Sequence, residues 1–142
     1  MAKQITIFAD NKPGRLKKIT ETLMRENINI RAMTLQDSGE FGLVNLLVDK
    51  PDEANIALAH NGFASKLRDV LAIVMDDRPG GLYNIMDMFS KQEINIENAY
   101  GFVVDSSKSA VFCVEVKETQ RIKNLIEEMG FKILTDEQLY EL

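Results

Sequence analysis

The chain has 142 residues and a mass of 16.1 kDa, with 17 Lys and Arg against 22 Asp and Glu and a formal net charge of −5. Hydrophobic residues make up 45% and charged residues 27%, which are globular values and exclude a disordered or fibrous chain. The acidic balance, with no Lys/Arg run to offset it, excludes a nucleic-acid binder that tracks phosphates with a basic face, and the apolar stretches fall far short of the roughly 20 residues a membrane helix needs.

The first segment, MAKQITIF, enters a strand pattern at once and has no signal-peptide core. Residues 4–8 alternate with β-branched side chains and predict a strand. Asp10-Asn11-Lys12-Pro13-Gly14 is a turn into a helix, since Pro suits a helix start where its missing N–H is not needed. Leu16, Ile19 and Leu23 follow at helical spacing, Lys17, Lys18, Glu21 and Arg25 take the other face, and Asn27 closes the helix. Residues 28–35 predict a second strand, 37–40 a turn and 41–49 a third strand. Pro51 starts a short helix that runs to His60 and ends at Asn61-Gly62, with residues 63–68 as a fourth strand.

The same series then recurs. ITIFADNKPGRLKKITETLMRENINI from Ile5 matches LAIVMDDRPGGLYNIMDMFSKQEINI from Leu71 without a gap, at an offset of 66 residues. Nine pairs are identical, among them Asp10/Asp76, Pro13/Pro79, Gly14/Gly80, Leu16/Leu82, Asn29/Asn95 and Ile30/Ile96. Further on the offset is 68, so that Leu46 matches Val114 and Gly62-Phe63 matches Gly130-Phe131. The two extra residues fall in a second hairpin turn, 105–109. The second copy predicts strands over 70–75, 94–104, 109–116 and 131–134, helices over 81–91 and 119–129, and a last helical turn over 136–140. The chain is therefore two βαββαβ units, 1–68 and 69–142. The fold class is α+β, two ferredoxin-like repeats packed side by side, each an antiparallel sheet with its helices on one face.

The helix-free face should be polar, yet Leu43 and Leu47 oppose Val44, Leu46 and Val48, and Val111 and Cys113 oppose Phe112, Val114 and Val116. Both faces are partly apolar. This predicts that the helix-free face is covered by another chain or by the other copy, with a homodimer the commonest solution.

The motif D-[ND]-[KR]-P-G-x-L-x-x-I, followed by I-N-I, carries the site expectation. Each Pro-Gly turn delivers the chain into a helix whose first N–H groups and dipole favour an anion such as a carboxylate. Gly14 and Gly80 allow close approach to the backbone. Asp10, Asn11, Asp76 and Asp77 stand at the mouth to hold an ammonium, although Asp10 and Asp76 read first as helix caps. Asn29 and Asn95 open the next strand, as ligand contacts or as local turn residues. Carboxylate and ammonium a few ångströms apart describe a free α-amino acid.

These residues resemble the ACT domain, a small-molecule regulatory module of amino-acid metabolism, in two copies over nearly the whole chain. The resemblance implies a ligand at the interface of two repeats, held by Asp10, Asn11, Pro13, Gly14, Leu16, Asn29 and Ile30 and by Asp76, Asp77, Pro79, Gly80, Leu82, Asn95 and Ile96. Serine-binding members contact their ligand through an Asn two residues before the Pro-Gly pair, here Asn11 but Asp77 in the second copy. They also carry a His four residues before that Pro, where this chain has Ala9 and Met75, which weighs against serine.

The expected function is non-catalytic: a sensor of a free amino acid, without cofactor or metal, read by a metabolic enzyme or transporter. The alternative is a regulatory subunit that works by protein contact with a degenerate ligand site. One Cys and one His, far apart, offer neither a Zn site nor a Cys/His pair. The lone thiol fits a reducing, cytoplasmic setting. Cys113 reads as a small core hydrophobe, His60 as a surface residue at a helix end and Met86 and Met88 as core. Tyr100 and Phe102 flank Gly101, where a bulge or a pocket peculiar to the second copy is one reading and ordinary strand packing the other.

Overall fold

The computed structural model describes residues 1–105 and 108–142. The chain divides into two compact units, Lys3–Arg68 and Asp69–Leu142, with Met1–Ala2 grouped with the second. The first contains β1 (Ala2–Ala9), α1 (Arg15–Arg25), β2 (Ile30–Asp37), β3 (Gly42–Val48), α2 (Pro51–His60) and the start of β4 (Ala64–Asp76). The second contains the rest of β4, then α3 (Gly81–Lys91), β5 (Asn98–Asp105), β6 (Ser109–Glu115), α4 (Thr119–Glu128) and α5 (Asp136–Tyr140). The strands are antiparallel within each unit. β3 lies between β2 and β1, with Ile7 opposite Val44 and Thr34 opposite Asn45, and β6 lies between β4 and β5, with Ile73 opposite Phe112 and Tyr100 opposite Cys113.

Each unit has its own apolar core between sheet and helices. In the first, Ile5, Ile7, Val44, Leu46 and Val48 of the strands meet Ile19 and Leu23 of α1 and Ala54 and Leu58 of α2. In the second, Leu71, Ile73, Val114 and Val116 meet Ile85, Met88 and Phe89 of α3 and Ile122 and Ile126 of α4. These are the alternate strand residues and the three-to-four-spaced helix residues, so both periodicities put their apolar sides in one place. Met86 packs against the second core and Met88 lies within it.

The helix ends follow from local chemistry. Asn27 adopts a left-handed conformation (φ 55°) and the Ile28 N–H reaches back to the Leu23 carbonyl, 3.0 Å, which closes α1. Gly62 does the same for α2 at φ 83°. Pro51 occupies the start of α2, and His60 is its exposed basic residue in the last turn.

Three expectations about the strands are corrected. The strands expected at 63–68 and 70–75 are one continuous strand, β4, because nothing between Arg68 and Val70 breaks the extended backbone. The strand expected at 131–134 is reduced to a single bridge between Ile133 and Ile73, with the Val74 and Leu134 N–H groups bonded to the Lys132 and Ala72 carbonyls at 2.9 Å. β5 begins at Asn98, not at Ile94, since Ile94 and Ile96 pack against the core without pairing along the sheet. Gly101 pairs in regular register with Phe112; the irregularity in β5 lies between Val103 and Asp105. Of the turn expected over 105–109, Ser106 and Ser107 lie outside the described residues.

The helix-free faces are buried in part, with Phe8 of β1 46% exposed. Ala72, Val111 and Cys113 in the second unit are buried, as are Gln4, Thr6, Asn45 and Leu47 in the first. Gln4, Thr6 and Asn45 bond one another at 2.9–3.0 Å, so these polar groups are satisfied. Part of the cover in the second unit is its own last helix: Leu139 of α5 is fully buried, and Tyr140 is an electrostatic neighbour of Tyr100, together with Cys113 and Glu115.

Candidate functional site

In both units a strand ends, a Pro-Gly turn follows, and a helix begins. Gly14 and Gly80 are the N-caps of α1 and α3, at φ 88° and 90°, a region that favours glycine. Neither helix has a capping side chain or an acidic residue in its first turn, so Asp10 and Asp76 are not caps. Their backbone carbonyls accept instead from Lys12 N–H and Arg78 N–H at 3.0 Å, which folds the turn. The turn also satisfies the first helical N–H, of Arg15 by the Lys12 carbonyl at 3.1 Å and of Gly81 by the Arg78 carbonyl at 3.0 Å. What remains for an anion is the N–H groups of the following residues, Leu16 and Lys17 or Leu82 and Tyr83. Nothing lies within 4 Å of a Cβ built on Gly14 or Gly80, so both turns are open to solvent at that point.

The two carboxylates differ. Asp10 accepts from Arg15 Nη2 at 3.0 Å, and forms ion pairs with Arg15 Nε at 2.6 Å and Lys12 Nζ at 3.4 Å. Hydrogen bonding by Arg15, opposed by desolvation and aided by the charges of Arg15 and Lys12, holds its carboxyl below the ordinary value of 3.8. Asp76 meets the exposed Arg78 at 3.2 Å and is about two-thirds exposed (66%). The sequence motif does not include Arg15, and helical spacing put Lys18 on the face away from Leu16, Ile19 and Leu23. The signal was present in the alignment, where Arg15 matches Gly81 and Lys18 matches Asn84 inside an otherwise well-matched motif.

Asn11, Pro13, Asp77, Pro79 and their glycines stand at the turns. Leu16 leans on the first core, while Leu82 is exposed. Asn29 and Asn95 lie elsewhere, past the far ends of α1 and α3, and each precedes its strand rather than opening it. An eleven-residue helix is roughly 16 Å long, so within one unit the turn and the following Asn cannot touch one amino acid. Asn29 is fixed through its backbone, its N–H donating to Asp49 Oδ1 at 2.9 Å and its carbonyl accepting from Asp49 N–H at 3.1 Å. It borders a cavity of about 510 Å³ with Asn27, Asp49 and Lys50. Asn95 borders one of about 200 Å³ with Glu93, Lys117 and Arg121. Ile30 and Ile96 pack against the cores.

A third cavity, about 270 Å³, lies directly at the second Pro-Gly turn, bordered by Met75, Asp76, Gly81, Asn84, Phe131 and Lys132. Cys113, by contrast, is buried, and burial pushes its thiol up to about 12. Among the described residues no three His, Cys, Asp or Glu side chains are grouped to hold a metal, and no helix is long and apolar enough to cross a membrane.

A family model described as "ACT domain pair" matches residues 1–142. Among solved structures, protein BT0572 from Bacteroides thetaiotaomicron is 33% identical, with a TM-score of 0.92, over 99% of this chain and 96% of that one. The regulatory subunit of aspartate kinase from Thermus thermophilus, in a ligand-free form, is 16% identical with a TM-score of 0.65, over 91% and 93%. Its counterpart from Thermus flavus is 15% identical with a TM-score of 0.58, over 89% and 90%. No curated protein matches. With the duplicated strand, Pro-Gly turn and helix in place and the family match spanning the full length, the chain belongs to the ACT domain pair family.

Proposed function

We propose that this chain is a non-catalytic sensor of a free amino acid, bound where a Pro-Gly turn meets a second repeat. The observation that carries the reading is the pair of turns. Gly14 and Gly80 start α1 and α3 in a left-handed conformation, with no capping side chain and no first-turn acid. The positive end of each helix dipole is thus left for an anion from outside, and a carboxylate fits. An aspartate beside it offers the complement for an ammonium. Since the turn and the Asn of one unit are separated by a helix, a ligand that uses both is shared between two repeats. Binding then biases how repeats or chains associate, and a metabolic enzyme or transporter reads that change, by no more than the ligand's differential affinity for the two states.

A thermal-shift panel of the 20 amino acids, followed by calorimetry, tests this. A ligand at 100 times its Kd stabilises by about 2.7 kcal/mol, which is several degrees for a chain of this size. Substitution to Ala at Asn11 and Asn29 of the first repeat, or at Asp77 and Asn95 of the second, weakens binding and leaves the fold intact; unchanged affinity in all four sinks this placement.

A second reading has one specific observation behind it. The Asp10 carboxylate is already engaged by Arg15 and Lys12, so the first turn is partly degenerate as a site. A subunit that acts by protein contact alone would show a flat amino-acid panel and co-purify with its enzyme at fixed stoichiometry.

A further inference from the structure

The two repeats serve as controls for one another. In the first, Arg15 sits on the Asp10 carboxylate at 2.6 and 3.0 Å, and Lys18 holds its ammonium 5.5 Å from the centre of the Phe63 ring. That ring is 8% exposed. A guanidinium on a carboxylate and an ammonium over an aromatic face are both favourable pairings. Here the chain supplies both cations itself.

In the second repeat both of these cations are gone while their partners remain, with the exposed Arg78, at the place of Lys12, on Asp76 at 3.2 Å. Gly81 stands at the place of Arg15 and Asn84 at that of Lys18. Asp76 matches Asp10 and Phe131 matches Phe63. The groove of about 270 Å³ opens at this place, bordered by Asp76, Asn84 and Phe131. Phe131 is only half-buried. Nor can residue 81 refill the groove, because a Cβ there would stand 2.1 Å from the Asp76 carbonyl oxygen.

We propose that this groove binds an amino acid with a cationic side chain, whose ammonium or guanidinium lies on Asp76 and whose alkyl chain runs along Phe131. The ligand takes the place that Arg15 and Lys18 fill in the first repeat, so one chain binds one ligand. Lys132 on the border supplies the opposite charge for the ligand carboxylate, which favours a zwitterion over a plain amine. The volume is just under the roughly 300–1,000 Å³ of drug-sized pockets, which suits a ligand of amino-acid size. This inference rests on the sensor reading and names the ligand class and the repeat.

The test is calorimetry on the full chain with L-lysine, L-arginine, L-norleucine, L-glutamate, n-butylamine and Nα-acetyl-lysine amide, beside the panel of 20 amino acids. Lysine or arginine binds at one per chain, and norleucine, of similar shape but uncharged in its side chain, binds at least tenfold more weakly. Asn84→Lys restores the first repeat's cation and abolishes binding without lowering the melting temperature of the free protein. Asp76→Asn weakens binding at least tenfold. The double variant Arg15→Ala, Lys18→Asn raises the stoichiometry to two. The inference is overturned if lysine and arginine bind no better than norleucine, or if Asn84→Lys binds like the parent. Binding of a neutral or acidic amino acid alone overturns it and leaves the sensor reading standing, whereas a flat panel overturns both. Equal affinity for the blocked lysine derivative assigns the groove to a protein side chain and overturns a free amino acid.

Discussion

Asp10 and Asp76 occupy matched places in the two repeats but have different surroundings. Arg15 and Lys12 face Asp10, and the folded carboxyl lies below its ordinary value of 3.8. A carboxyl depressed in the folded state stabilises the fold above its unfolded value and loses that contribution as pH falls through the folded one. The parent should therefore melt slightly above Asp10→Asn at neutral pH, and the two melting temperatures should converge as pH falls below about 3.8. A difference that persists unchanged at lower pH would show that the ion pair is not its source. The neighbouring glycines make a second contrast at this scale. Gly80 needs its left-handed backbone (φ 90°) but has open space where a Cβ would go, whereas the Cβ of residue 81 would collide with backbone. Gly80→Ala should cost roughly 1–2 kcal/mol, the usual strain of an L residue in that region. Gly81→Ala should cost more, since the turn itself has to move. Urea melts of the two variants give the order, and the reverse order would mean that the turn is pliant.

Helices were legible where caps and periodicity agree: α2, α3 and α5 begin and end where Pro51, the Pro-Gly pair and the apolar spacing put them. Strand ends were less so. Ile94 and Ile96 alternate like strand residues but turn that pattern to core packing ahead of β5. Residues 131–134 carry strand-like residues, yet Thr135 begins α5 immediately afterwards and leaves room for one bridge. α5 is only five residues long, so its own hydrogen bonds cannot hold it. It is held by a capping box, in which Thr135 Oγ1 accepts from Gln138 N–H at 3.2 Å and Gln138 Oε1 accepts from Thr135 N–H at 3.0 Å, and by the buried Leu139. Thr135→Ala should cost about 1 kcal/mol and Leu139→Ala about 2–5 kcal/mol. Because Tyr140 and Cys113 are both electrostatic neighbours of Tyr100, loosening α5 should also expose that thiol. Ellman's reagent at pH 8 should label Cys113 faster in Leu139→Ala than in the parent, and equal rates would show that α5 does not guard it.

At the scale of the molecule, duplication made most of the fold readable, because each motif was seen twice and an error in one copy was checked by the other. The site was less readable for the same reason. Shared residues drew attention to Asp, Pro and Gly, while the difference between the turns lies in the mismatched pairs Arg15/Gly81 and Lys18/Asn84. An apolar surface that bears on association is the edge of the first sheet. β2 pairs with β3 on one side and stands at the end of the strand order on the other. Its Met33 and Leu35, on the helix side, are 45% and 43% exposed, and Pro is absent from its sequence, IRAMTLQD. An edge strand with unpaired backbone groups and apolar side chains is a template for another strand unless it is blunted, and an identical edge satisfies it by a two-fold axis. Light scattering should therefore give twice the 16.1 kDa chain mass. Leu35→Lys should yield a monomer that keeps the parent's circular dichroism. A monomeric parent would leave β2 without a self-partner and remove the homodimer. If Leu35→Lys stays dimeric, the two-fold contact lies on another surface.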